Sequence, residues 1–206
     1  MPRTGIRKKS QAARQNLLAA ALQVIGTKGY KAATMDEIAK QAGVSKGLAY
    51  YHFSNKAKLA AAVLDDGLGG LVSSLDAAAA QSGSAADALK HMIDVLAENL
   101  YRNRMVTRFV FEEMFRSDRD CSNVMRDYIQ RFLGLIEDLI RRGQAEGAFA
   151  ASLDAGYTAV ALFGTVMTTS MYYMGLDVEG QETGHPLPQE DYVKQLRSFA
   201  LAAVAA

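Results

Sequence analysis

The chain has a single cysteine, Cys121, in 206 residues. One cysteine excludes an intrachain disulfide framework and a cysteine-cluster metal site, and it fits a reducing compartment such as the cytoplasm. The three histidines, His52, His91 and His185, are far apart, and none has metal-ligand spacing to another. There is no GxxxxGK[ST] loop, no GxGxxG turn and no GxSxG nucleophile elbow. Glu112 and Glu113 are neighbours, and on a helix they point about 100° apart, which suits no acid–base pair. No catalytic residue, metal or cofactor is therefore expected. The basic N-terminus is not followed by an apolar stretch, so no signal peptide is expected. Ala155 to Leu176 carries no charge and is long enough to span a bilayer. Its threonines, glycines and tyrosines dilute its hydrophobicity and its flanks, Asp154 and Asp177, are acidic. A helix buried on all sides at a subunit interface fits it better than a membrane span.

What is present is an uneven charge. The whole chain carries +1, yet residues 1–56 carry +8 and the remainder −7. A basic quarter on an acidic body points to one part that meets a polyanion and one that does not. Half the residues are apolar, enough for a sizeable core.

The basic quarter contains the most informative stretch, Thr34 to Lys56. Thr34 is a good N-cap, with Asp36 and Glu37 in the first turn that follows, where the helix dipole favours acids. Ile38, Ala39 and Ala42 supply an apolar face, and Gly43 permits the backbone that ends a helix. Ser45 caps a second short helix, Lys46 to His52. Ala49 and Phe53 share one face of it, while Gly47, Leu48 and Tyr51 lie opposite, flanked by Tyr50 and His52. This is a helix-turn-helix pattern, whose second helix enters the DNA major groove. The spacing alone also suits an ordinary helical hairpin.

The run Gly43-Val44-Ser45-Lys46-Gly47, then Tyr50-Tyr51-His52-Phe53 and Lys56, resembles the signature of the TetR family of bacterial transcriptional regulators. The likeness extends from about Arg14 to Leu64. It implies an all-α homodimer in which each N-terminal three-helix unit occupies one half-site of a palindromic operator. A small molecule entering the C-terminal bundle shifts the fourth helix in that family. By the same resemblance, Thr34, Tyr50, His52 and Lys56 match phosphate-contacting positions, and Ser45, Lys46, Gly47, Leu48 and Tyr51 match groove-facing ones. Leu48 departs from the small or hydroxylated residue common there, which shifts direct readout toward Lys46, Tyr51 and contact with a thymine methyl. A phosphate at Lys56 would also account for a cation in the first turn of a helix, against the dipole.

About nine helices are expected. A flexible basic arm, Met1–Ser10, precedes a first helix from about Gln11 to Thr27, ended by Gly29. A fourth helix, capped by Ser54, runs from near Asn55 to about Ala80. It carries Gly67, Gly69 and Gly70, which read as a break, a packing site or a hinge. Five more helices follow the loop at Gln81–Ser84, the third of them starting at Cys121. Asp177–Pro188 reads as a polar loop before the last helix. The expected domains are residues 1–56, which bind DNA, and 57–206, which sense a ligand and dimerise. Met92, Met105, Phe109, Met114, Phe132, Phe163, Met167 and Met171 are the candidate lining of an apolar pocket, since methionine adapts to varied apolar shapes. The same side chains would serve equally as core. The segment Phe109 to Met174 also loosely resembles fatty-acyl-responsive members of the family, through Leu139 to Phe149, Asp154 and Phe163-Gly164-Thr165. Ala159, Leu162, Val166, Leu196 and Phe199 are candidates for the dimer contact.

The expected function is a cytoplasmic, ligand-responsive transcriptional regulator, in the form of a repressor released from a double-stranded operator by an apolar or amphipathic molecule. Two alternatives stay open at this level: a non-specific architectural DNA binder, and an enzyme on a regulator-like fold. The acidic body argues against the first, because coating DNA needs little more than the basic part.

Overall fold

The computed structural model describes residues 3–81, 83–115, 122–173 and 187–206. Cys121, His185 and most of the expected loop Asp177–Pro188 lie outside them. Among the described residues there are nine helices: α1 Arg3–Ala32, α2 Met35–Gln41, α3 Lys46–His52, α4 Lys56–Gln81, α5 Ala85–Arg102, α6 Arg104–Phe115, α7 Ser122–Ala145, α8 Ala155–Tyr173 and α9 Gln189–Val204. The all-α expectation and its helix count are met. One segment differs: the basic arm is helical from Arg3 and continues into α1. No proline lies in Arg3–Ser10, so the chain extends the helix that follows, and Arg7, Lys8 and Lys9 are exposed on it. No described helix is long and apolar enough to cross a membrane.

The chain divides into two compact units, residues 1–67 with 105–125 and residues 68–104 with 126–206. The division falls within α4, after Gly67. The start of α4 and α6 from Met105 onward belong with the first unit, where α6 packs on α1 and on Gly67 of α4. Val106 fills the space over Gly67, Met105 lies on Gly26, and Phe109 stacks on Tyr30 with ring centres 6.5 Å apart. The first unit's core is Leu17, Ala21, Ile25, Ile38, Ala49 and Leu59, all fully buried.

Lys56 locks this unit together. Its ammonium donates to the carbonyls of Tyr30 at 2.7 Å, Ala33 at 2.8 Å and Lys31 at 3.3 Å, and stands 4.4 Å from the centre of the Tyr30 ring. All three of its protons are therefore spent on the carbonyl end of α1. Without DNA, backbone carbonyls occupy the ammonium that was expected to meet a phosphate. The cation is out of place for the α4 dipole but is held by the carbonyls of the turn that follows the non-helical Gly29. The cap of α4 is Asn55, not Ser54: its side-chain oxygen accepts from the Lys58 amide at 2.8 Å.

In the second unit α9 packs against α5 and α8. Arg142 of α7 donates to the carbonyls of Ala79 and Gly83, and Glu146 accepts from the Ala85 amide at 2.8 Å. One turn of α7 thus ties the end of α4 to the start of α5. The Arg142 guanidinium and the Ala85 amide hold the Glu146 carboxyl below its usual range, the amide contributing most. A buried polar pin joins α8 to α9, where the Tyr192 hydroxyl meets Ser170 at 2.7 Å and Thr169 at 3.1 Å.

α4 runs unbroken through Gly67, Gly69 and Gly70. A Cβ on Gly67 would lie 2.7 Å from Val106 Cγ1, whereas one on Gly70 would meet nothing within 4 Å. Gly67→Ala is therefore expected to lower stability by about 1–3 kcal/mol, since β-branched Val106 has little freedom to yield. Gly70→Ala should raise it by about 0.5–1 kcal/mol. Lys56→Met should cost about 2 kcal/mol through lost charge-assisted hydrogen bonds. Denaturant melts followed by circular dichroism check all three, and equal effects at Gly67 and Gly70 would contradict the packing account.

Candidate nucleic-acid interface

The site is built on two short helices held at a fixed angle by their caps. Thr34 and Glu37 form a reciprocal capping box: the Glu37 amide donates to the Thr34 hydroxyl oxygen at 3.2 Å, and the Thr34 amide to the Glu37 carboxylate at 3.1 Å. Lys28 of α1 donates to the same carboxylate at 2.6 Å. This ammonium is the chief reason that the Glu37 carboxyl lies below its usual range. At the other end of α2, Gly43 takes φ +68°. That lets its own amide reach the Lys40 carbonyl and the Val44 amide reach Ala39, closing the helix and turning the chain. Ser45 then caps α3, its hydroxyl oxygen accepting from the Leu48 amide at 3.2 Å.

α3 is fixed by its inner face. Ala49 and Phe53 are buried, and the Arg14 guanidinium of α1 stands 5.5 Å from the centre of the Phe53 ring. Lys46, Gly47, Tyr50 and Tyr51 form a continuous exposed arc, Tyr51 being 79% exposed. Leu48 and His52 are half-buried at the edges of that arc. Leu48 thus stands beside the open face rather than at its centre. His52 Nε2 is shielded and has no hydrogen-bond partner among the described residues. Lys46 reaches back to α2, where its ammonium meets Asp36 at 2.8 Å. This carboxylate raises the Lys46 amine above its usual range.

Of the nine residues expected at DNA, Ser45, Lys46, Gly47, Leu48, Tyr50, Tyr51 and His52 lie on α3 or at its cap, and Thr34 caps α2. Lys56 is committed to α1 instead. Asp36 was assigned from sequence only a place in the helix dipole; its reach to Lys46 depends on how α2 and α3 pack.

The expected pocket residues separate. Met105, Phe109 and Met114 belong to the first unit, where Phe109 is buried against Tyr30. Met92 and Phe132 belong to the second and line an apolar cavity of ≈ 30 Å³ together with Leu75, Leu162, Val166 and Leu196. Phe163 packs on Phe132 at 5.4 Å, and Met167 and Met171 are half-buried on α8. Leu162, Val166 and Leu196 had been expected at a dimer contact. They and Ala159 are buried within one chain, which leaves Phe199 exposed. The exposed apolar groups of α8 are others: Tyr157, Val160 and Tyr172. They recur at helical spacing along one stripe, with Gly164 between them. The helix is therefore not buried on all sides within one chain. No cluster of metal-ligating side chains occurs among the described residues.

The family model for bacterial regulatory proteins of the tetR family matches residues 17–63, and one for a tetracyclin repressor-like C-terminal domain matches residues 82–174. The HTH-type transcriptional activator FasR of Mycolicibacterium smegmatis is 29% identical over 198 residues, covering 96% of this chain and 85% of FasR. Among solved structures, the fatty acid degradation regulator FadR from Bacillus halodurans superposes with a TM-score of 0.79 at 22% identity, covering 92% of this chain and 94% of that one. FadR from Bacillus subtilis in complex with stearoyl-CoA gives a TM-score of 0.79 at 18% identity, covering 92% and 98%. The two structural likenesses show the shared fold. With the helix-turn-helix in place and both halves matched, the chain belongs to the TetR family of bacterial transcriptional regulators.

Proposed function

We propose that this cytoplasmic regulator reads a palindromic operator as a homodimer, with the exposed arc of α3 in the major groove, and that a long-chain acyl thioester controls its grip. The observation that carries the DNA part is that arc. A seven-residue helix that buries Ala49 and Phe53 presents a lysine, two tyrosines and a bare glycine backbone to solvent, inside a quarter of the chain carrying +8. Lys46 and Tyr51 reach base edges and Gly47 lets the backbone approach. Tyr50 and the Thr34 and Ser45 hydroxyls serve phosphates or groove contacts from beside their capping bonds. His52 flanks the arc, its shielded Nε2 without a partner among the described residues. Leu48 offers only apolar contact at the rim.

For the effector, two observations agree. FadR of Bacillus halodurans is a fatty acid degradation regulator by name and FadR of Bacillus subtilis holds stearoyl-CoA, and the cavity of the second unit is lined by apolar side chains alone. At ≈ 30 Å³ it holds about one water molecule, against the several hundred Å³ that a ligand of this size occupies. An acyl chain therefore enters only by parting the helices around it. Leu75 of α4 is one of the walls, and α4 is one continuous helix back to Lys56. A wall that must move, on the helix that begins beside α3, is how occupancy changes the spacing of the two reading heads. Whether the effector releases or strengthens binding, and whether DNA binding represses or activates, is set by which state fits the operator and where that operator lies.

The partner contact is assigned to the stripe Tyr157, Val160, Gly164 and Tyr172 with Phe199 of α9, since these are apolar, contiguous and unburied in one chain.

Three outcomes are expected. Lys46→Ala should cost about 1–3 kcal/mol on the operator and little on random duplex, read by fluorescence anisotropy; equal losses on both would contradict direct readout. Val160→Glu with Phe199→Glu should convert a dimer to a folded monomer in light scattering, and an unchanged dimer would remove the assigned face. Stearoyl-CoA, but not free coenzyme A, should shift operator affinity at least tenfold. Filling the cavity with Val166→Phe should abolish that shift, and a full response from a folded Val166→Phe chain would place the ligand elsewhere.

A further inference from the structure

The two acids in the first turn of α2 behave differently. Glu37 is engaged by the Thr34 amide and by Lys28, and so belongs to the scaffold. Asp36 meets Lys46 alone among the described residues, and both side chains are more than half exposed. An acid on the face that approaches DNA is repelled by phosphates, and helix-dipole stabilisation of α2 is already supplied by Glu37. Asp36 instead fixes where the Lys46 ammonium sits. The ammonium has three protons, and the bond to Asp36 uses one. Two remain to donate to base edges without disturbing that bond, whereas reaching out to a phosphate of the backbone means leaving Asp36.

We propose that Asp36 is a specificity-determining positioning residue, which holds the Lys46 ammonium for base edges and withholds it from phosphates. This rests on the reading of α3 as the DNA-reading helix and adds a residue to it. On the preferred duplex, Lys46 keeps Asp36 and gains a guanine edge. On random duplex it keeps Asp36 and gains nothing, so one potential phosphate contact per subunit is withheld from non-specific binding.

The test uses the full chain, with Asp36→Asn, Lys46→Met and the double variant, and Asp36→Ser as a second neutral substitution in case asparagine perturbs the first turn. Anisotropy titrations on the preferred duplex and on a scrambled duplex of equal length are run across a salt series. Asp36→Asn should tighten scrambled DNA about two- to fivefold, the range of an exposed ion pair. It should not tighten the preferred duplex, so the specificity ratio falls by that factor. The slope of log K against log salt on scrambled DNA should steepen by about 0.9 per subunit, one recovered phosphate contact. In the Lys46→Met background the same substitution should leave ratio and slope unchanged. The proposal is overturned by an unchanged ratio, by equal weakening on both duplexes, or by the same shift without Lys46, which would mean simple repulsion of DNA by an acid. Wild-type binding that does not distinguish the duplexes would instead remove the underlying reading of α3.

Discussion

A seven-residue helix does not persist alone in water, because nucleation costs more than so few hydrogen bonds return. The surface proposed to read DNA is such a helix, and the elements around it compensate for that. Ala49 and Phe53 commit one face of α3 to the core, and Ser45 commits its first turn. α2 is stabilised by the capping box at one end and Gly43 at the other. α1 supplies the third wall, and its own frayed end, where Gly29 leaves helical geometry, is closed by Lys56. The exposed arc is thus defined by elimination: it is what remains of α3 once its structural obligations are met. A regulator needs this rigidity, because a groove-reading helix that wobbles by an ångström loses the hydrogen bonds that separate one base pair from another.

The second unit has the opposite requirement. It must be stable and yet able to admit a guest. Tyr192 pins α9 to α8, and Arg142 and Glu146 pin α7 to the α4–α5 connection, so the polar ties sit about one helical turn from residues that line the apolar cavity. Around the cavity itself only dispersion and hydrophobic contact hold the helices, and such contacts re-form against an acyl chain at little net cost. On the proposed function the unit opens where it is oily and keeps its register where it is hydrogen-bonded. α4 belongs to both requirements: its first turns complete the DNA-binding unit and its last turns wall the cavity.

Much of this was legible in the sequence, for reasons that can be stated. Helix caps and breakers act locally, so Thr34, Gly43, Ser45 and the bounds of α2 and α3 followed from a few residues each. Helix periodicity likewise located the remaining elements. What stayed out of view was non-local. Lys56 looked misplaced because only its own helix was in view, and its partner carbonyls lie more than twenty residues back. Asp36 and Lys46 meet across a turn whose angle no pattern specifies. α8 is apolar nearly all round, so its two stripes could not be told apart. Leu162 and Val166 face the core, and Tyr157, Val160 and Tyr172 face outward. Aromatic residues in the outer stripe were the one signal that a second surface was being offered.

The central claim is that the arc of α3 reads a particular DNA sequence. Selection of bound fragments from a fully random duplex library, with the full chain and sequencing of each round, tests it most directly. The account predicts enrichment of one palindromic motif whose half-sites lie about one helical turn apart or a multiple of it, and loss of that motif with Lys46→Ala and Tyr51→Ala. Efficient recovery of DNA without any enriched sequence would contradict it, leaving a basic surface that holds DNA and does not read it.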